Sequence, residues 1–104
     1  MASSKEYLSF VLDQLSTLDG ITYRAMMGEF IIYFRGKIAG GIYDDRFLVK
    51  PTPSAVRLLP DAQHVAPYPG AGEMLLADNI DDRDRLCELI NAIADDMQGA
   101  GRKR

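Results

Sequence analysis

A chain of 104 residues with 47% hydrophobic and 26% charged side chains has the material for one globular domain with a modest core. Fifteen acidic residues face twelve basic ones, and three of the basic ones form the terminal run Arg102-Lys103-Arg104, so the body, with nine basic residues, carries −6. Such a balance lacks the basic footprint of a nucleic-acid binder and argues against direct DNA binding by the body. Cys87 is the one cysteine, which excludes an intrachain disulfide and suits a reducing compartment. Lys5, Glu6 and Asp13 interrupt the start where a secretory signal needs an apolar run, and no stretch approaches the ~18 apolar residues of a membrane helix. The expectation is a cytoplasmic protein without a membrane span.

In chain order, Ser3-x-x-Glu6 has the form of a capping box opening a helix. Tyr7, Leu8, Val11, Leu12, Leu15 and Leu18 then recur at helical spacing, and Gly20 supplies a left-handed stop. The period changes to two over residues 21–27, 30–35 and 38–43, with breaks at Gly28-Glu29 and Gly36-Lys37; Asp44-Asp45 gives a further turn before a strand at 46–50. Connections this short join antiparallel strands, because a parallel crossover needs a dozen residues or more. Thr52-Pro53 reads as an N-cap followed by proline in the first helical turn, opening a short helix to about residue 59. Residues 60–72, with Pro60, Pro67, Pro69, Gly70 and Gly72, form a long irregular segment of the kind that is often functional. A fifth strand is expected at 73–77. Asp81 then caps a final helix whose Leu86, Leu89, Ile90, Ile93 and Met97 share one face. The expected fold class is α+β: a two-layer sandwich with a mainly antiparallel sheet of about five strands and N-terminal, short middle and C-terminal helices. Residues 1–98 are read as one domain and 99–104 as a flexible basic tail. Strand 30–35 is apolar on both faces, with Phe30, Ile32 and Phe34 on one and Ile31 and Tyr33 on the other. Helices cover one face, and a second copy of the chain is expected over the other, so the reading includes a homodimer.

The glycines do not assemble a phosphate site. Gly36-Lys37 runs into a strand and so fails the P-loop pattern, and Gly70-Ala71-Gly72 lacks the third glycine of a dinucleotide fingerprint. Gly28 and Gly36 read as turn residues. Gly40-Gly41 lie within a strand, which marks either a helix side chain packed close over the sheet or the approach of a ligand or partner backbone. His64 lacks ligand-type neighbours at metal spacing, and Cys87 sits among apolar residues as a buried thiol does. The adjacent pairs Asp44-Asp45 and Asp95-Asp96 read as a turn and a solvated helix end. No catalytic, cofactor or metal residue is nominated. The nominated partner or ligand surface is Arg24, Gly28, Gly40, Gly41, Lys50 and Tyr68.

Residues 23–51, with Arg24-x-Met-x-Gly28, an apolar aromatic strand, Gly36, a small-residue strand and Asp45-x-x-x-Val-Lys50, resemble the N-terminal domain of the TfoX/Sxy family of bacterial competence regulators. The leading helix and the closing helix at 81–90 are similar too, so the resemblance covers nearly the whole chain. It implies a TfoX-type two-layer α/β sandwich without the C-terminal helical domain of longer members, and no catalytic residue to carry over. The expected function is a non-enzymatic regulatory or protein-interaction module with a protein partner, linked to transcription or competence. The alternative is a small-molecule binding protein or weak enzyme with a pocket near Arg24, Lys50 and Tyr68.

Overall fold

The structure is a computed structural model that describes residues 4–78 and 80–102, with side chains through Met97. Helix α1, Lys5–Gln14, opens on Ser4, whose hydroxyl oxygen accepts from the Tyr7 amide at 3.1 Å. The Ser3 capping box lies outside the described residues. After Gln14 the chain tightens through bonds from Ser16 N to the Asp13 carbonyl and from Leu18 N to the Leu15 carbonyl, so the helix ends earlier than its apolar spacing suggests. Gly20, at φ 103°, serves instead as the entry to β1, its carbonyl accepting from Arg35 N at 2.9 Å.

Strands β1 (Ile21–Met26), β2 (Glu29–Phe34), β3 (Lys37–Ile42) and β4 (Phe47–Val49) form an antiparallel meander. All three of its turns have two-residue loops with both residues at positive φ: Met27 and Gly28 at 52° and 86°, Arg35 and Gly36 at 54° and 81°, Asp44 and Asp45 at 55° each. That is the type I′ requirement, whose twist matches that of the flanking strands. Thr52 N-caps α2, Pro53–Leu58, accepting from Ala55 N at 3.3 Å. The segment read as wholly irregular contains a two-residue strand, β5 (His64–Val65), paired with β6 (Met74–Leu76). The sheet therefore has six strands, not about five, in the order β1-β2-β3-β4-β6-β5.

Helix α3 is Arg83–Arg102, so its backbone stays helical into the segment read as a tail. Its start is held by Asp82 and not Asp81: Asp82 Oδ1 accepts from Arg85 N at 3.2 Å and its carbonyl from Leu86 N at 2.9 Å.

The architecture is α+β, with three helices on one face of an antiparallel sheet. Phe30, Ile32 and Phe34 point into the core with Leu8, Val11 and Leu15 of α1 and with Leu86, Leu89, Ile90 and Ile93 of α3. The register places Arg24, Ile31, Gly41, Leu48 and Leu76 in one row on the opposite face. That face is not bare, because Leu48 is fully buried and Ile31 and Tyr33 are half-buried. Pro67 and Tyr68, in the β5–β6 connection, share a pocket on this face with Ile31 and Tyr43.

Tertiary bonds tie the layers together. The buried side-chain amide of Gln14 donates from Nε2 to the Ile80 carbonyl at 2.7 Å, and the Gln14 backbone carbonyl accepts from Cys87 Sγ at 3.5 Å. Asp96, expected at a solvated helix end, instead grips the start of α2, with Oδ2 accepting from Ser54 N at 2.7 Å and Oδ1 from the Ser54 hydroxyl at 2.9 Å. A carboxylate there satisfies an amide that the helix itself leaves unpaired, and the Ser54 amide above all holds the Asp96 carboxyl below its ordinary pKa.

Candidate functional site

The local rule most plainly broken is at the β1–β2 turn. A two-residue type I′ loop normally takes asparagine or aspartate before glycine, because those residues tolerate the left-handed region. Here Met27 occupies that position at φ 52° and is 98% exposed, so the fold repays neither the conformation nor the wetted side chain. Met26, beside it, is also exposed.

Below this turn, on the face away from the helices, lies a pocket of about 560 Å³. The β1–β2 hairpin contributes Met26, Met27, Glu29 and Ile31; Tyr43 enters from the end of β3; Pro67 and Tyr68 close it from the β5–β6 connection. Tyr43 occupies its position because of a glycine. An added Cβ on Gly41 would stand 2.7 Å from Tyr43 Cε2 and 2.9 Å from the Phe30 carbonyl oxygen, so only glycine lets the ring lie down over the sheet. On the core face, a Cβ on Gly40 would overlap the Leu48 carbonyl oxygen and stand 3.0 Å from Val49 Cα. Both glycines thus admit parts of this chain, a neighbouring tyrosine ring and a neighbouring strand.

The electrostatics are one-sided. Burial, then the neighbouring Tyr68, Glu29 and Tyr33, raise the Tyr43 phenol above its ordinary pKa. Glu29 Oε1 accepts from Asp44 N at 3.2 Å, and the adjoining Asp45 Oδ1 accepts from Ser4 N at 2.7 Å, so a turn of two aspartates flanks the pocket's own carboxylate. No lysine, arginine or histidine lines the pocket among the described residues.

Of the six residues nominated from sequence, Tyr68 lines the pocket, Gly41 underlies Tyr43 and Gly28 forms the turn beside Met27. Gly40 faces the core. Arg24 is exposed on the sheet face beside Ile31, and Lys50 follows β4, three strands away from β1 or about 14 Å at ordinary strand spacing. Neither cation lines the pocket, so the trio Arg24, Lys50 and Tyr68 is not gathered around one cavity. Sequence reasoning missed Met26, Met27, Glu29, Ile31, Tyr43 and Pro67. The available signal was a methionine where a hairpin asks for asparagine.

Elsewhere the chemistry is sparse. Cys87 meets the Thr17 hydroxyl at 3.3 Å and the Gln14 carbonyl, and His64 pairs with Glu73 at 3.7 Å on the surface. Among the described residues no group of three or more His, Cys, Asp or Glu could hold a metal, and no helix is long and apolar enough to cross a membrane.

An α+β domain with an apolar, acid-edged pocket on its open sheet face can be set beside known proteins. The chain is 30% identical over 95 residues to a Spirochaeta aurantia protein described as "Uncharacterized 12.7 kDa protein in trpE 5'region", an alignment covering 90% of this chain and 83% of that protein. The chain belongs to the family of that protein. No family model matches it, and no solved structure matches it either.

Proposed function

We propose that the chain is a non-enzymatic interaction module of regulatory type, as its resemblance to the TfoX N-terminal domain implies, and that it engages a protein partner through the pocket face. The observation that carries this reading is Met27, held in a left-handed turn and 98% exposed beside Met26 and Tyr68. Residues that break local rules without repaying stability are expected at functional sites. Methionine and tyrosine are also enriched in interface cores, where a flexible thioether fits a partner's contour and an aromatic ring supplies area at low entropic cost. The thiol of Cys87 meets a hydroxyl and a carbonyl where a nucleophile would need a base, which also favours binding over catalysis.

The test is comparative affinity capture with wild type, the double variant Met27→Ser/Tyr68→Ala, and Val56→Ser as an exposed apolar control on α2. The expected result is one protein recovered with wild type and Val56→Ser and depleted about tenfold or more with the double variant, while all three melt alike. Identical recovery by all three would refute a role for this face.

A further inference from the structure

The two edges of the sheet are built differently. β5, at one end, is two residues long and is soon followed by Pro67, which makes that edge a poor template for another strand. β1, at the other end, pairs with β2 alone, contains no proline, and has five of its six residues exposed. Burial stops sharply there: on the core face Phe30 and Ile32 are buried, while their cross-strand neighbours Ala25 and Tyr23 are exposed, so the helical layer ends short of β1. Between α1 and β1 it leaves a groove of about 510 Å³ whose walls include Leu12, Leu15, Leu18, Ile21 and Tyr23, with no charged side chain among the described residues. Backbone parity decides what the edge offers. Arg35 N donates to the Gly20 carbonyl at 2.9 Å, and bonded and non-bonded pairs alternate along an antiparallel ladder, so Thr22, Arg24 and Met26 turn their amides and carbonyls toward β2. Those of Ile21, Tyr23 and Ala25 point away from the sheet, and among the described residues no second strand takes them up.

We propose that this edge binds a second copy of the chain, β1 lying antiparallel to its counterpart about a two-fold axis at Tyr23, so that the two sheets become one. The strand fits its own reverse at this point. Centring the pair on Tyr23 sets Ile21 opposite Ala25 of the second copy, a large side chain against a small one, and Arg24 opposite Thr22, so no like charges meet directly. It also joins every outward amide and carbonyl of β1, since Ile21, Tyr23 and Ala25 are the residues that meet their counterparts. An axis at Arg24 would set two arginines opposite each other, and an axis at Thr22 would leave Ala25 facing a residue outside the strand. A foreign peptide would have to supply a matching strand, whereas a second copy brings the matched register and the same apolar groove on the same face, as a two-fold interface requires. The two Tyr23 rings, each 50% exposed in the single chain, then lie side by side at the mouths of both grooves and lose contact with water. The axis runs perpendicular to the sheet, so both pocket faces lie on one side of the joined sheet. The inference stands on the edge strand and is independent of what the pocket face engages.

The experiment is analytical ultracentrifugation of the full chain from micromolar to millimolar concentration, with amide hydrogen exchange followed by NMR on dilute and concentrated samples. The mass is expected to approach twice 11.5 kDa at the upper end. Concentration should slow exchange about tenfold or more at Ile21, Tyr23 and Ala25, and change it less at Thr22, Arg24 and Met26, which already bond to β2. Ala25→Pro removes an outward N–H while leaving the β1–β2 ladder untouched, and Tyr23→Lys brings two charges together at the axis. Each is expected to weaken the dimer about tenfold or more, whereas Val56→Ser on α2 leaves it unchanged. Circular dichroism and dispersed amide spectra verify the fold of each variant. A mass of one chain at every concentration, a dimer whose Ile21, Tyr23 and Ala25 amides exchange freely, or a dimer that both β1 variants leave intact would overturn the proposal. So would a monomer that gains protection at those amides only in cell extract, a result that assigns the edge to a strand from another protein.

Discussion

Replacing Gly40 by alanine adds a carbon that overlaps the Leu48 carbonyl oxygen and lies 3.0 Å from Val49 Cα. Both are backbone atoms of β4, and all three β4 side chains are 0% exposed, so the strand cannot drift outward without opening the core. Overpacking a well-filled interior costs typically 1–3 kcal/mol, and an overlap with immobile backbone belongs at the upper end, about 3 kcal/mol. For 104 residues, an unfolding entropy of about 2.1 cal/mol/K per residue turns that into a fall in Tm of roughly 14 °C. Two other glycines provide the scale. Gly36→Ala meets no atom within 4 Å but sits at φ 81°, so it should cost about 1–2 kcal/mol from backbone strain alone. Gly72→Ala meets neither obstacle and should stay within about 0.5 kcal/mol of wild type. Urea and thermal unfolding followed by circular dichroism would rank the three. If Gly40→Ala melted with Gly72→Ala, the close approach of β3 and β4 would be wrong.

Met27→Asn suits the left-handed turn and should raise stability by about 0.5–1 kcal/mol in urea melts while weakening partner capture; a loss of stability would mean that Met27 packs on the fold after all. Asp96→Asn should lower stability at neutral pH. Because the folded carboxyl titrates below the ordinary ~3.9, its contribution is present above that value and fades as pH falls through the folded pKa, so the gap between wild type and variant should shrink in melts taken from about pH 5 to pH 3 and below. Tyr7 and Tyr43 both have raised phenol pKa values, chiefly through burial. Spectrophotometric titration should show two phenols ionising above the ordinary value of about 10, and the stability held below that unfolded value should be lost as pH rises through the folded values. Loss of both delayed steps in the folded chain would count against that burial.

The meander was legible because its signals are local: Gly28, Gly36 and the Asp44-Asp45 pair mark loops that need positive φ, and alternating apolar residues mark what they join. Thr52-Pro53 identified the start of α2 for the same reason. What escaped was tertiary. β5 consists of His64 and Val65 in proline-rich surroundings, and only pairing with β6 makes it a strand. Asp96 caps a helix 42 residues earlier in the chain, which no local pattern encodes. The apolar outer residues Ile31 and Tyr33 marked this sheet face, but that Pro67 and Tyr68 of the β5–β6 connection share a pocket there with Ile31 was not legible locally. For the site, Tyr68 and Gly41 were within reach of sequence reasoning and the pocket's carboxylate was not, since Glu29 becomes a wall only once Tyr43 and Tyr68 stand opposite.

The long-range bonds between the α1 and α3 ends of the chain also bear on the order in which the fold forms. Thr17 reaches Cys87 across 70 residues and Gln14 reaches Ile80 across 66, while β1 to β4 pair with one another in chain order through two-residue loops. Closing a long loop costs entropy that must be met before its contacts form, so the meander is expected to assemble early and α1 to latch onto α3 late. A late latch is also an early release. Amides of α1 should exchange with solvent ahead of those in β2 and β3, giving the chain a state in which one helix is loose while the sheet that carries the pocket stays whole.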